Sequence, residues 1–134
     1  MEGLSSTKTF EESFRLPRSL DTRIHVRVSK LQKALVLNLS TATAEELGTA
    51  VPMGSFVYAL PDRFNEQQPL ATTLFAHEPT IEFTTRVARI IARKSKGPVY
   101  VTNSISFRDA GLGGTVEEEM EALQNVVKVV QSHL

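Results

Sequence analysis

Residues 23–39 read RIHVRVSKLQKALVLNL, and this stretch decides the fold. Its first part alternates Ile24, Val26 and Val28 with polar residues, which is the period of a half-buried β-strand. Its last part, residues 34–39, is apolar at successive positions, which predicts a strand that is covered on both faces. The chain therefore begins a sheet here, and the second of these strands should lie inside it.

The other strands follow from short apolar or aromatic runs that prolines separate. We predict them at residues 55–60, 70–75 and 98–102, with a further edge strand at residues 10–16. Residues 61–69 lie between two prolines and are polar, which indicates a surface loop.

Two helices complete the pattern. The first is predicted from about Pro79 to Lys96, because proline is favoured in a first turn and Gly97-Pro98 stops a helix. The second opens at Thr115, where Thr115-Val116-Glu117-Glu118 fits a capping box. Residues 42–48 are predicted as a short connection or helical turn. Because strands and helices do not alternate regularly, we expect an α+β fold, with a mostly antiparallel sheet of five or six strands and two helices packed on one face.

Composition narrows the class of protein. The 134 residues suit one domain, residues 1–134, of which residues 1–9 are expected to be flexible. Fifteen Lys and Arg balance fifteen Asp and Glu, which argues against a dedicated binder of nucleic acid or anionic membrane. There is no Cys, no apolar leader and no run long enough to span a membrane. We expect a soluble protein of the cytoplasm, and also of the nucleus.

Residues that carry chemistry are sparse. Residues 111–114, Gly-Leu-Gly-Gly, precede a helix and suggest a phosphate site, but residues 117–119 are all Glu and would repel the anion. His25, His77 and His133 lie on different predicted elements without metal-ligand spacing. No Gly-x-Ser-x-Gly motif is present. The sequence therefore predicts no enzyme, no cofactor and no metal site.

Four basic residues, Arg86, Arg89, Arg93 and Lys96, fall on one side of the first helix. This stripe is either a solvated face or a docking surface for an acidic partner. A nucleic-acid interface is disfavoured, because few basic residues lie elsewhere and the chain has no aromatic-rich stacking platform.

The strand at residues 34–39 suggests a second surface. If two helices cover one face of the sheet, Val36, Val57 and Ala59 are expected on the uncovered face. Either loops or the N-terminal segment fold over that face, or a partner subunit covers it.

Residues 86–103, RVARIIARKSKGPVYVTN, and residues 117–123, EEEMEAL, resemble the proteasome assembly chaperone 4 family and its fungal counterparts. The resemblance extends over roughly residues 22–134. It implies a noncatalytic protein with a six-stranded, mostly antiparallel sheet and two helices. It also implies that this protein pairs with a sister chaperone, proteasome assembly chaperone 3. It also implies that the pair assists assembly of the 20S proteasome α-ring, chiefly by contacting the fifth α subunit.

With this resemblance, we expect the sister chaperone to contact Val36, Val57 and Ala59. The α subunit is expected to contact the helix arginines and an exposed aromatic residue with its neighbour: Arg86, Arg89, Arg93, Phe107 and Arg108. A small adaptor or trafficking module of similar fold is the alternative, since a fold alone does not fix a function. An enzyme would require a concave pocket with convergent polar groups.

Overall fold

A computed structural model describes residues 8–43 and 52–134 of the chain. Within these ranges the chain forms six strands and two helices, in the order β1 (Lys8–Arg15), β2 (Arg23–Lys30), β3 (Leu35–Ala42), β4 (Ser55–Leu60), β5 (Leu70–Phe75), α1 (Glu78–Ser95), β6 (Val99–Asn103) and α2 (Val116–Gln131). The connection predicted at residues 42–48 lies, beyond Ala42 and Thr43, outside the described residues. Of the nine residues expected to be flexible, Lys8 and Thr9 pair with Lys30 and Ser29 in the sheet.

The strands form one sheet in the order β1-β2-β3-β6-β4-β5. Every neighbouring pair is antiparallel except β3 and β6, which run parallel. Strand β6 comes late in the chain and inserts between β3 and β4, so that Val101 pairs with Leu37 on one side and with Val57 on the other. The predicted α+β fold with a mostly antiparallel sheet is confirmed.

Both helices cover the same face of the sheet. Helix α1 packs on β4 and β6, α2 approaches β2, and the two helices contact each other. Alternate strand residues face this layer, and the fully buried side chains there include Val26, Leu37, Val57, Val101 and, from α1, Ile91. Burial of these side chains is the main favourable contribution to folding.

The helix ends agree closely with the sequence prediction. Helix α1 has Pro79 in its first turn, and its C-cap residue Lys96 adopts a left-handed conformation and donates its N–H to Ala92 O. At the start of α2, Thr115 and Glu118 form both hydrogen bonds of the capping box. Each cap satisfies backbone groups that have no partner within the helix.

Candidate interaction surfaces

The sheet face opposite the helices carries a group of aromatic and aliphatic side chains on its central strands. Val36, Tyr100 and Tyr58 are aligned across β3, β6 and β4 by the strand register. The ring centroids of Tyr58 and Tyr100 are 4.6 Å apart, and those of Phe56 and Tyr100 are 6.2 Å apart. We call Val36, Phe56, Tyr58, Leu60 and Tyr100 the aromatic patch. All five side chains are half-buried, because they shield one another while remaining open to solvent.

The other half of this face, on β1 and β2, is polar. His25 and Arg27 project from β2, and Arg27 Nε lies 3.7 Å from Glu11 Oε2 of β1. Together with Ser13 and Asn38 they line a shallow depression of about 430 Å³. Asn38 Nδ2 donates to Thr102 Oγ1 at 2.7 Å, at the boundary with the aromatic patch. The face therefore has an apolar half and a polar half, which is the division that protein interfaces show between core and rim.

The prediction that Val36, Val57 and Ala59 share the uncovered face is wrong for two of them. Val57 and Ala59 are both 0% exposed and point into the helix-covered core, whereas Val36 is half-buried on the open face. Strand β4 alternates small residues with large ones, and its small side chains lie toward α1, where the helix packs closely. The large side chains of Phe56 and Tyr58 were the sequence signal that their side of β4 faces away from the helices.

The basic stripe of α1 is exposed, as its periodicity predicted, but its members face different neighbours. Arg86 Nη1 lies 3.9 Å from Sδ of Met120 in α2. Arg89 and Arg93 instead line a cleft of about 850 Å³. The cleft lies between α1 and residues 62–72, which include the start of β5. The structure therefore places Arg89 and Arg93 together beside the edge of the sheet and Arg86 at the contact between helices.

Phe107 and Arg108 lie at the end of the sheet. Phe107 is half-buried rather than free in solvent, because its ring packs against Phe83 with centroids 5.5 Å apart. Arg108 is exposed. Both residues line an apolar groove of about 830 Å³ whose other walls include Met53 and Phe75. Sequence spacing did not reveal this groove, because its walls come from separate parts of the chain.

The glycine-containing loop before α2 holds an anion that the chain itself provides. Glu118 Oε1 accepts the N–H groups of Gly114 at 2.8 Å and Thr115 at 3.0 Å, and Oε2 accepts that of Leu112 at 2.7 Å. Burial alone would raise the pKa of Glu118, but these N–H groups and nearby Arg18 lower the pKa below its ordinary value of 4.5. The donors that a phosphate would require are therefore occupied by a carboxylate.

The histidines are dispersed. His133 pairs with Glu12 and stacks on Phe10, with ring centroids 4.3 Å apart. His77 precedes α1, and His25 lies on the polar half of the open face. Across residues 8–43 and 52–134 no cluster of three His, Asp or Glu residues is arranged to hold a metal ion. Neither described helix is both long enough and apolar enough to span a bilayer.

Comparison with known proteins identifies the family of this chain. The family model described as proteasome assembly chaperone 4 matches residues 23–105, which is more than half of the chain. The chain belongs to the proteasome assembly chaperone 4 family. No curated protein matches the chain by sequence.

A solved structure has the same fold as this chain. It is a crystal structure of a novel chaperone complex for yeast 20S proteasome assembly, and one of its chains superimposes on this chain with a TM-score of 0.67. The sequences are 16% identical, and the alignment covers 95% of this chain and 97% of that chain. At this identity the likeness shows a shared fold.

Proteasome assembly chaperones of this family are noncatalytic, and membership supports a role in proteasome assembly. The family match includes the whole aromatic patch and the three helix arginines, whereas Phe107, Arg108 and Glu118 lie beyond its end at residue 105.

Proposed function

We propose that this chain pairs with a sister chaperone resembling proteasome assembly chaperone 3, and that the pair assists assembly of the 20S proteasome α-ring by binding an α subunit. The observation that carries the proposal is the aromatic patch. In the part of the chain that the structure describes, both helices pack on the opposite face, and Tyr58 and Tyr100 remain open to solvent. A contiguous apolar group that is open to solvent on a sheet face is typical of a protein interaction site.

The two halves of the open face fit the usual composition of a durable interface. Such interfaces bury roughly 1,200–2,000 Å² in total and combine an apolar centre with a polar rim. The aromatic patch would supply the centre, with Tyr58 and Tyr100 as rigid anchors, and His25, Arg27 and Glu11 would supply the rim on one side. Val36 retains its predicted role as a contact residue. Val57 and Ala59 would act indirectly, by supporting β4 from the core.

A second surface would engage the α subunit, and the fifth α subunit is the first candidate. The residues proposed for it are exposed or line open grooves: Arg86, Arg89, Arg93, Phe107 and Arg108. Charged residues at a rim steer association and set its specificity more than its strength. This separation of a stable pairing face from a polar second face suits a chaperone that leaves its client. We place its action in the cytoplasm and nucleus.

Native mass spectrometry tests the proposal directly. The full chain is measured alone, with a recombinant sister chaperone, and with recombinant α subunits added one at a time. We expect a one-to-one pair with the sister and a ternary complex with an α subunit. A chain that forms no pair with the sister contradicts the pairing, and a pair that binds no α subunit contradicts the second part.

Paired variants identify the face that is used. Truncation of Tyr58 and Tyr100 to Ala should weaken pairing by about 30-fold or more, since central aromatic anchors typically contribute about 2 kcal/mol or more. His25→Ala, on the polar half of the same face, is the matched control and should have a small effect. Equal affinities for the double variant and the control would exclude the aromatic patch as the pairing centre.

A further inference from the structure

The two edges of the sheet differ in how well they are protected against pairing with another chain. Edge strand β1 has the sequence KTFEESFR, with four charged residues among eight. Edge strand β5 has the sequence LATTLF and carries no charge. Charged side chains on an edge strand oppose the addition of a further strand, and natural sheets use them for that purpose. Strand β5 lacks this protection.

The outer edge of β5 is also accessible. In the described part of the chain β5 ends the sheet, with β4 as its hydrogen-bonded neighbour. The side chains of Leu70 and Leu74 are 53% and 50% exposed. An uncharged, apolar strand whose free backbone groups face solvent is a template for an added strand.

Positive charge lies directly beside this edge. Arg89 and Arg93 line the cleft on the helix side of β5, together with Ala71. Neither arginine forms an ion pair with any residue in the ranges 8–43 and 52–134. Asp62 also lines the cleft, and its Oδ1 accepts the N–H of Phe64 at 2.9 Å. The cleft therefore has an excess of positive charge.

We propose that the edge of β5 receives an extended, acidic segment of a partner protein, which adds a seventh strand to the sheet. Successive side chains of an added strand point to opposite faces. One set would enter the cleft, where carboxylates meet Arg89 and Arg93. The other set would lie on the open face beside Leu70, which pairs with Leu60 of β4. The segment recognised would therefore alternate acidic with apolar residues.

A second copy of this chain fits the edge poorly. If two β5 strands paired antiparallel about a two-fold axis, both helix layers would lie on the same face of the joined sheet. Arg89 and Arg93 of one copy would then approach those of the other, and like charges would oppose the contact. Charge complementarity therefore favours a partner that carries carboxylates.

This inference rests in part on the function proposed above, because Arg89 and Arg93 belong both to the cleft beside β5 and to the surface proposed for the α subunit. The two can fail separately. The inference is tested on the chain alone with a synthetic peptide, whereas the proposed function is tested with whole subunits.

The probe is an acetylated and amidated octapeptide, Glu-Val-Asp-Val-Glu-Val-Asp-Val, added to the full chain. Amide hydrogen exchange followed by NMR should show new protection at alternate residues of β5, whose N–H groups face away from β4. A peptide with the same sequence and N-methyl groups along both edges cannot donate to the ladder in either strand direction and should not bind. A peptide with Lys in place of each acidic residue should bind about tenfold more weakly or worse, because it meets Arg89 and Arg93.

Variants of the chain locate the charge effect. R89Q/R93Q should weaken peptide binding by about tenfold at low salt, and the difference should shrink as salt is raised. K94Q/K128Q removes the same charge from exposed positions outside the cleft and is the matched control. Equal affinities for both double variants, equal binding of the N-methylated peptide, or protection elsewhere than β5 would each overturn the proposal. So would absence of binding at millimolar peptide, or self-association of the chain through β5.

Discussion

Arg18 Nη1 lies 3.7 Å from Glu118 Oε2, and this ion pair joins the segment between β1 and β2 to the beginning of α2. The N–H of Gly111 donates to Pro17 O at 3.1 Å beside it. Glu118 itself is 0% exposed, although a buried carboxylate is costly unless its oxygens are satisfied. Three backbone N–H groups and one guanidinium satisfy it here. Two distant parts of the chain are thereby held together at one buried charge.

The first prediction concerns Glu118→Gln. Glutamine keeps one acceptor oxygen but turns an NH₂ group toward a backbone N–H donor, and it also loses the attraction of Arg18. We expect a clear loss of stability in urea unfolding at pH 7. Glu117→Gln, in the same turn of α2 but exposed, is the control and should unfold like the parent chain. Equal midpoints for the two variants would contradict the role assigned to Glu118.

The same carboxylate gives a pH dependence with a defined sign. The pKa of Glu118 in the folded chain lies below its ordinary value of 4.5. Between these two pKa values the unfolded chain therefore binds more protons than the folded chain. Its stabilising contribution is therefore complete above about pH 4.5 and is lost as pH falls through the folded-state pKa. The stability difference between the parent chain and E118Q should decrease over that range. A difference that stays constant on acidification would show that the charge of Glu118 is not involved.

The second prediction compares three glycines. Gly54 has φ 75°, and a Cβ there would lie 1.9 Å from Asn103 O, so Gly54→Ala combines backbone strain with a collision. Gly113 has φ 81° with open space around it, so Gly113→Ala should cost only the strain, about 1–3 kcal/mol. At Gly97 the nearest atom to an added Cβ is 4.0 Å away. Thermal unfolding should rank the stability losses Gly54 first, Gly113 second and Gly97 last, and another order would contradict the close approach of Gly54 to β6.

The third prediction separates the two faces of the sheet. Val57→Ala removes buried methyl groups and should lower the free energy of unfolding by about 1.5–3 kcal/mol. Val36→Ala, on the open face, should change that free energy little and should instead weaken pairing with the sister chaperone. Denaturant unfolding and pairing affinity are measured for both variants. If Val36→Ala lowered stability and Val57→Ala weakened pairing instead, Val57 would be assigned to the open face.

The fourth prediction concerns charge reversal of the helix arginines. R86E/R89E/R93E should lower the rate of association with an α subunit by about tenfold or more at low salt, because steering by charge is lost. R63E/K94E/K128E makes the same change in net charge at other exposed positions and should have a smaller effect. Unchanged association of the first triple variant would identify the stripe as solvated surface.

The elements of this fold are encoded locally, and for that reason the sequence predicted them well. Proline at the start of α1, Gly97-Pro98 after its end and the capping box of α2 are signals contained within a few residues. The assignment of faces is different. Alternation separates Val57 from Tyr58 but does not say which of them meets a helix, because that depends on what packs against β4.

The candidate surfaces also differ in whether a local sequence signal could predict them. The basic stripe of α1 was predictable because helical periodicity alone brings Arg86, Arg89 and Arg93 to one side. The aromatic patch was not, because Tyr58 and Tyr100 become neighbours only when β6 inserts next to β4. Sequence order gives no local indication of that insertion. The same is true of the groove at Phe107, whose walls meet only in the folded chain.

The position of β6 bears on how the protein is made. During synthesis, the hairpin of β2 and β3 and the hairpin of β4 and β5 can each form early, but they have no direct contact in the sheet. Until residues 99–103 leave the ribosome, β3 and β4 both remain as unpaired edges in the nascent chain. Such edges are prone to aggregation, and pairing across long sequence separations is slow. During its own synthesis this chain is therefore prone to aggregation until the five-residue strand β6 is inserted between β3 and β4.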